Sequence, residues 1–158
     1  MRLLVCGACS ERVFVDFILD GLHQKFGIDE VIFEGRGPLA GAAFGWAEEN
    51  ARPIVWARTP NERVRTFKMF NAGPELVLVF NKSEMELCVP DQIYFLAREA
   101  KIPIGGVNPL SGMIHTFGRG WGRLARRLAR GPQLPLPVRL IEPTIITGAI
   151  DAFERRSA

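Results

Sequence analysis

Val31-Ile32-Phe33-Glu34-Gly35-Arg36-Gly37-Pro38-Leu39-Ala40-Gly41-Ala42-Ala43-Phe44-Gly45-Trp46-Ala47 reads as an apolar run that breaks into glycines and then becomes a helix. A short, continuously apolar run predicts a strand covered on both faces. Pro38 suits a first helical turn, where its missing N–H costs nothing. The small residues that follow let a helix lie close against a sheet. Glycines at a strand end allow backbone N–H groups to approach a ligand. The helix beyond them aims its unpaired N–H groups and the positive end of its dipole at the same place. The stretch predicts a β-α unit whose turn suits an anion.

The pattern recurs along the chain, and alternating short apolar runs and longer amphipathic segments indicate βαβ units around a parallel sheet. Strands are expected at 3–6, 30–33, 54–57, 76–80 and 102–107, with a sixth at 138–141. Ser10 is placed to cap a first helix that carries Val13, Phe14, Phe17, Ile18, Gly21 and Leu22 on one side and ends near Gly27. Further helices are expected at 38–50, 61–70, 91–100 and about 144–155. Pro53, Pro74 and Pro103 precede or open strands, where a missing N–H is tolerated. Right-handed crossovers then give an α/β, three-layer, Rossmann-like fold: a mainly parallel five- to six-stranded sheet with helices on both faces. Residues 1–107 form the Rossmann-like domain, and 108–158 an extension packed on the same domain.

The 158 residues are 47% hydrophobic, enough for one core and too few for two. No segment has the uninterrupted apolar length of a membrane span, and the start shows no signal segment, so a cytoplasmic location without membrane insertion is expected. Three cysteines argue against a disulfide framework. The net charge of +3 hides an asymmetry: residues 111–139 hold Arg119, Arg123, Arg126, Arg127, Arg130 and Arg139 and no acid.

Three turns are expected to share one sheet edge. Gly35-x-Gly37-x-x-Ala40 satisfies a dinucleotide pattern, but that pattern belongs after the first strand, and the third strand here ends in Arg58-Thr59; NAD is disfavoured. A Walker A loop is excluded, since no Lys-Ser/Thr follows the glycines. Cys6-Gly7-Ala8-Cys9-Ser10 closes the first strand; its CxxC opening a helix is the arrangement of a thiol oxidoreductase, although Cys6 falls where a buried strand residue belongs and a structural role is the better reading. Asn81, Lys82 and Ser83 follow the fourth strand and offer hydrogen-bonding groups and a charge. The expected ligand-binding set is therefore Gly7, Ala8, Ser10, Gly35, Arg36, Gly37, Asn81, Lys82 and Ser83, with Arg36 and Lys82 neutralising phosphate.

The residues 121–130 have helical spacing. Arg123, Arg126, Arg127 and Arg130 fall in one sector opposite Trp121, Leu124 and Leu128, a stripe suited to nucleic-acid phosphates or to a solvated face. His23, expected on the exposed edge of its helix, and His115, in an irregular glycine-flanked stretch, are the two histidines, and neither joins a metal-ligand set. No cofactor and no metal is expected. Trp121 and Phe117 are apolar residues that a second copy of the chain could cover, so a homodimer is the default assembly.

A glycine turn after strand one, a glycine turn and small-residue helix ending in Trp46-Ala47, Arg65 and Met69, then Pro74-Glu75-Leu76-Val77-Leu78-Val79-Phe80 and Ala97-Arg98-Glu99-Ala100-Lys101-Ile102-Pro103-Ile104 together resemble the YspA-type, YpsA-related branch of the SLOG superfamily. The resemblance covers roughly residues 1–107 and implies a Rossmann-like fold holding a nucleotide or nucleotide-derived ligand at the carboxyl edge. Some relatives are phosphoribohydrolases and others, of the DprA type, bind single-stranded DNA. This chain lacks the acidic residue of the family's Gly-Ala-x-Gly-Ala-Asp turn, has no glycine between Asn81 and Pro90 where the family has a phosphate loop, and carries Thr66 after Arg65 where asparagine is usual. Catalysis would fall to Glu34 or Glu84, with Glu86 the remaining carboxylate in place. The departures favour binding without cleavage.

Overall fold

The computed structural model describes residues 1–82, 91–117 and 140–141. Seven strands form one sheet in the order β3-β2-β1-β4-β5-β6-β7. They are β1 (Arg2–Gly7), β2 (Glu30–Glu34), β3 (Ile54–Ala57), β4 (Leu76–Phe80), β5 (Ile104–Val107), β6 (Ile114–Phe117) and β7 (Leu140–Ile141). The helices α1 (Arg12–Phe26), α2 (Pro38–Glu49), α3 (Glu62–Asn71) and α4 (Asp91–Glu99) alternate with the first five strands. Strands β1 to β5 are mutually parallel and β6 runs antiparallel to β5. The architecture is the expected Rossmann-like α/β arrangement, with the order of strand addition reversing between β1 and β4.

Continuous apolarity in the strands follows from burial on both faces. Leu3, Val5, Val31, Phe33, Leu76, Leu78 and Phe80 pack on one face with Ile18, Leu19 and Leu22 of α1 and Ala43, Trp46 and Ala47 of α2. Leu4, Cys6, Ile32, Val77 and Val79 pack on the other with Met69 of α3 and Ile93, Tyr94 and Ala97 of α4. Successive side chains of a strand point to opposite faces, so the inner positions of β1 and β2 and all of β4 and β5 are buried. The prolines before the strands keep their carbonyls in use: Pro53 O accepts from Val31 N and Pro103 O from Val77 N.

Several sequence expectations need correction. The sheet does not stop at the fifth strand plus a terminal one, because Ile114–Phe117 adds β6 next to β5. The chain turns back there through Asn108, whose Oδ1 accepts from Leu110 N and Ser111 N, and through Gly112 at φ 67°. Helix α1 begins at Arg12 with Glu11 at its N-cap and no side-chain cap, so Ser10 stands one residue too early to cap it. Of the expected face of α1, Ile18, Gly21 and Leu22 are buried, together with Val15 and Leu19, whereas Val13 and Phe17 face outward. Asn61 caps α3 as a good N-cap should, its Oδ1 accepting from Val64 N at 3.2 Å. The basic segment with Arg123, Arg126, Arg127 and Arg130, the helix at 144–155 and the residues Ser83, Glu84 and Glu86 lie outside the described residues.

His23 is half-buried rather than exposed. Its ring meets Trp46 edge-on at 5.6 Å, and its Nδ1 accepts a hydrogen bond from Ile28 N at 2.9 Å, which requires an unprotonated Nδ1. Desolvation, followed by the charge of Arg52, lowers the His23 pKa. A folded-state pKa below the unfolded value of about 6.5 means that the contribution is present above that value and is lost as pH falls towards the folded one. Urea midpoints should therefore drop more steeply below about pH 6.5 in the wild type than in His23→Gln; parallel slopes would rule the residue out as a pH sensor.

Candidate functional site

All five parallel strands end on the same side, so the turns after β2, β1 and β4 lie beside one another. In open α/β sheets this carboxyl edge is where ligands bind. Gly7 ends β1 and Ala8 follows it, Gly35, Arg36 and Gly37 follow β2, and Asn81 and Lys82 follow β4, with Ser10 in the loop leading to α1. The structure thus gathers the expected residues that it describes along one edge.

The glycines themselves are explained by packing. A Cβ on Gly7, at φ 112°, would overlap the carbonyl oxygen of Phe80 and come within 2.8 Å of Phe80 N. One on Gly35 would overlap the Trp56 indole nitrogen and stand 2.8 Å from its Cδ1. Gly37, at φ 92°, has open space, so there the backbone conformation alone demands glycine. These positions let the edge form, and its chemistry comes from side chains beside them.

Those side chains are arginines. A cavity of about 220 Å³ opens at the ends of β2 and β3, lined by Gly35, Arg36, Ala57, Arg58, Thr59 and Arg65. Glu34 pairs with Ala57 in the β2–β3 register, so the residues that leave the two strands, Arg36 and Arg58 among them, emerge side by side. The Arg58 guanidinium lies over the Trp56 ring, 3.2 Å from its centroid, and Trp56 is in turn packed against Phe33 and Phe44. Arg65, on α3, binds Glu34 Oε1 at 2.6 Å and donates to the Thr59 carbonyl at 3.0 Å. Among the described residues Arg36 and Arg58 have no carboxylate partner. The cavity wall therefore carries three guanidinium groups, with Glu34 offsetting one.

The helices that follow these strands start at this edge, and α3 among them is capped by Asn61 and carries Glu62 in its first turn. Neither α1 nor α2 has a side-chain cap or an acidic residue in its first turn. Unfilled first-turn N–H groups and uncompensated dipoles favour an anion. At the β4 end, Asn81 Oδ1 is buried and accepts no hydrogen bond among the described residues. Arg12 is not part of this positive surface: it is held by Asp16 and Glu49, across Gly45, and ties α1 to α2.

Two further expectations can be placed. Cys6 is buried on the face covered by α3 and α4, whereas Cys9 packs against the core under α1 and α2. Glu34, the described catalytic candidate, has its carboxylate held by Arg65. Sequence reasoning passed over Arg58, Thr59 and Trp56 as site residues. The signal was an arginine just past each of two neighbouring strands, Glu34-Gly35-Arg36 and Ala57-Arg58-Thr59.

Fold and site together define an α/β protein of Rossmann-like topology with a basic carboxyl edge. No protein-family model matches the chain, and no curated protein matches it. Among the described residues no group of three or more histidine, cysteine, aspartate or glutamate side chains could hold a metal, and no helix is long and apolar enough to cross a membrane.

Proposed function

We propose that this protein binds a nucleotide or nucleotide-derived ligand at the carboxyl edge of its sheet, and that it binds without cleaving. The observation that carries this reading is the pair of arginines without a carboxylate partner among the described residues, Arg36 and Arg58, lining a cavity at the edge where α1 and α2 present uncapped N-termini. Guanidinium groups supply donors in a fixed fork that matches phosphate, and helix N-termini supply backbone donors to the same kind of group. Asn81 Oδ1 offers an acceptor that suits a sugar hydroxyl or an exocyclic amine of a base. The likeness of the motif order to the YspA-type branch of the SLOG superfamily points the same way. Against catalysis stands Glu34, whose carboxylate is occupied by Arg65.

A thermal-shift screen of nucleoside mono-, di- and triphosphates tests the reading. A ligand at a hundred times its Kd stabilises by about 2.7 kcal/mol, which for a chain of this size raises Tm by roughly 5–10 °C. Arg36→Ala should weaken the best ligand about tenfold or more, the worth of a charge-assisted hydrogen bond. If no nucleotide shifts Tm at saturating concentration, the edge is not a nucleotide site.

A further inference from the structure

We infer that the nucleotide accepted at this edge carries a second phosphate on its ribose, held by the arginine cavity between β2 and β3; this deepens the binding reading above and rests on it.

Size is the first ground. At about 220 Å³ the cavity is smaller than the roughly 300–1,000 Å³ of sites that enclose a whole small ligand. It fits one phosphate and the edge of a sugar, with the rest of the ligand lying along the neighbouring turns.

Charge is the second. Arg36, Arg58 and Arg65 line one small volume and only Arg65 is matched by a carboxylate. Crowded like charges repel, and a dianion relieves that repulsion where a neutral ribose hydroxyl does not. The stacking of Arg58 on Trp56 holds the guanidinium flat and fixes where its donors can point, so little side-chain freedom remains to be lost on binding.

Position is the third. Adjacent strands lie about 4.8 Å apart, so the β2–β3 cavity is displaced from the β1–α1 turn by one to two strand spacings, about 5–10 Å. That is the span from a 5′-phosphate to the 2′- or 3′-oxygen of the same ribose. In nucleotide-binding sheets of this strand order an acidic residue ending β2 accepts a ribose hydroxyl, and an arginine there accommodates a phosphate in its place. Here Glu34 ends β2 but is held by Arg65, and Arg36 follows it. The free donors at the ribose position are cationic, and the ligand they complement is a nucleoside bisphosphate.

Isothermal titration of the full chain with adenosine and guanosine 5′-monophosphates, 2′,5′-bisphosphates and 3′,5′-bisphosphates decides the matter. A bisphosphate should bind about tenfold or more tighter than the matching monophosphate, with the preferred isomer identifying the oxygen that bears the second phosphate. Arg58→Gln should cost a bisphosphate about tenfold more affinity than it costs the matching monophosphate, and Arg58→Lys should restore part of that difference. Equal affinities for mono- and bisphosphates in the wild type, or an equal loss for both in Arg58→Gln, would overturn the inference and leave the edge site standing. Silence towards every nucleotide would overturn both readings. The wild-type comparison stands without the variants, and circular dichroism confirms that each variant is folded.

Discussion

Gly7→Ala is expected to destabilise the protein by about 3–5 kcal/mol, one of the largest effects available from adding a single methyl group. Two costs combine at this residue. Its φ of 112° lies in a region that side chains rarely adopt, and its Cβ would overlap the carbonyl oxygen of Phe80. That oxygen cannot withdraw: it accepts the Ala8 N–H at 2.9 Å, and β4 is locked between β1 and β5. The strain therefore spreads into the central strand pair, which opens the carboxyl edge. Gly37→Ala provides the internal control, since φ there is 92° but nothing lies within 4 Å of a Cβ. It should cost about 1–2 kcal/mol, the conformational part alone. Urea denaturation of the two variants measures the difference, and a Gly7→Ala loss no larger than that of Gly37→Ala would show that β1 and β4 can part without penalty.

The glycine turns also show how far the sequence could be read. Element type was legible where a run of residues is buried on both faces, as at Leu76–Phe80, or where small residues follow a strand, as in α2; local composition decides the outcome there. β6 was not legible, because Ile114-His115-Thr116-Phe117 is neither continuously apolar nor strictly alternating and is too short to declare a period. Its existence depends on the Asn108 turn, which brings it back along β5. The glycine turns were legible as turns, but their cause was not. Gly35 is required by the indole of Trp56, a residue distant in sequence that reaches it only because β3 lies beside β2. Topology likewise brings Arg36, Arg58 and Arg65 to one cavity. A linear scan sees five arginines scattered over residues 36–65, and the strand order picks out three of them as a site.

Glu34→Gln and Arg65→Gln should move phosphate affinity in opposite directions, together spanning about two orders of magnitude. Glu34 and Arg65 form an ion pair at the rim of the cavity, so removing either member changes the net charge facing the ligand by one unit. A unit charge about 6 Å from a phosphate, at an effective dielectric of about 40, is worth roughly 1.4 kcal/mol, or tenfold in Kd. Glu34→Gln removes the negative charge and releases Arg65 towards the cavity, so affinity should rise. Arg65→Gln strands a carboxylate beside Arg36 and Arg58, where it competes with the ligand for their donors, so affinity should fall. Both shifts should shrink in high salt, because the groups are only partly shielded from solvent. The sign at Glu34 also separates binder from hydrolase. A phosphoribohydrolase that uses this carboxylate would lose release of free base on Glu34→Gln, whereas a protein that only binds has no such release to lose and gains affinity instead. Titration with the best nucleotide, together with chromatographic detection of free base, gives both readouts on the same samples. Base release by the wild type that vanishes in Glu34→Gln would overturn binding without cleavage and give the carboxylate a catalytic role despite its ion pair with Arg65.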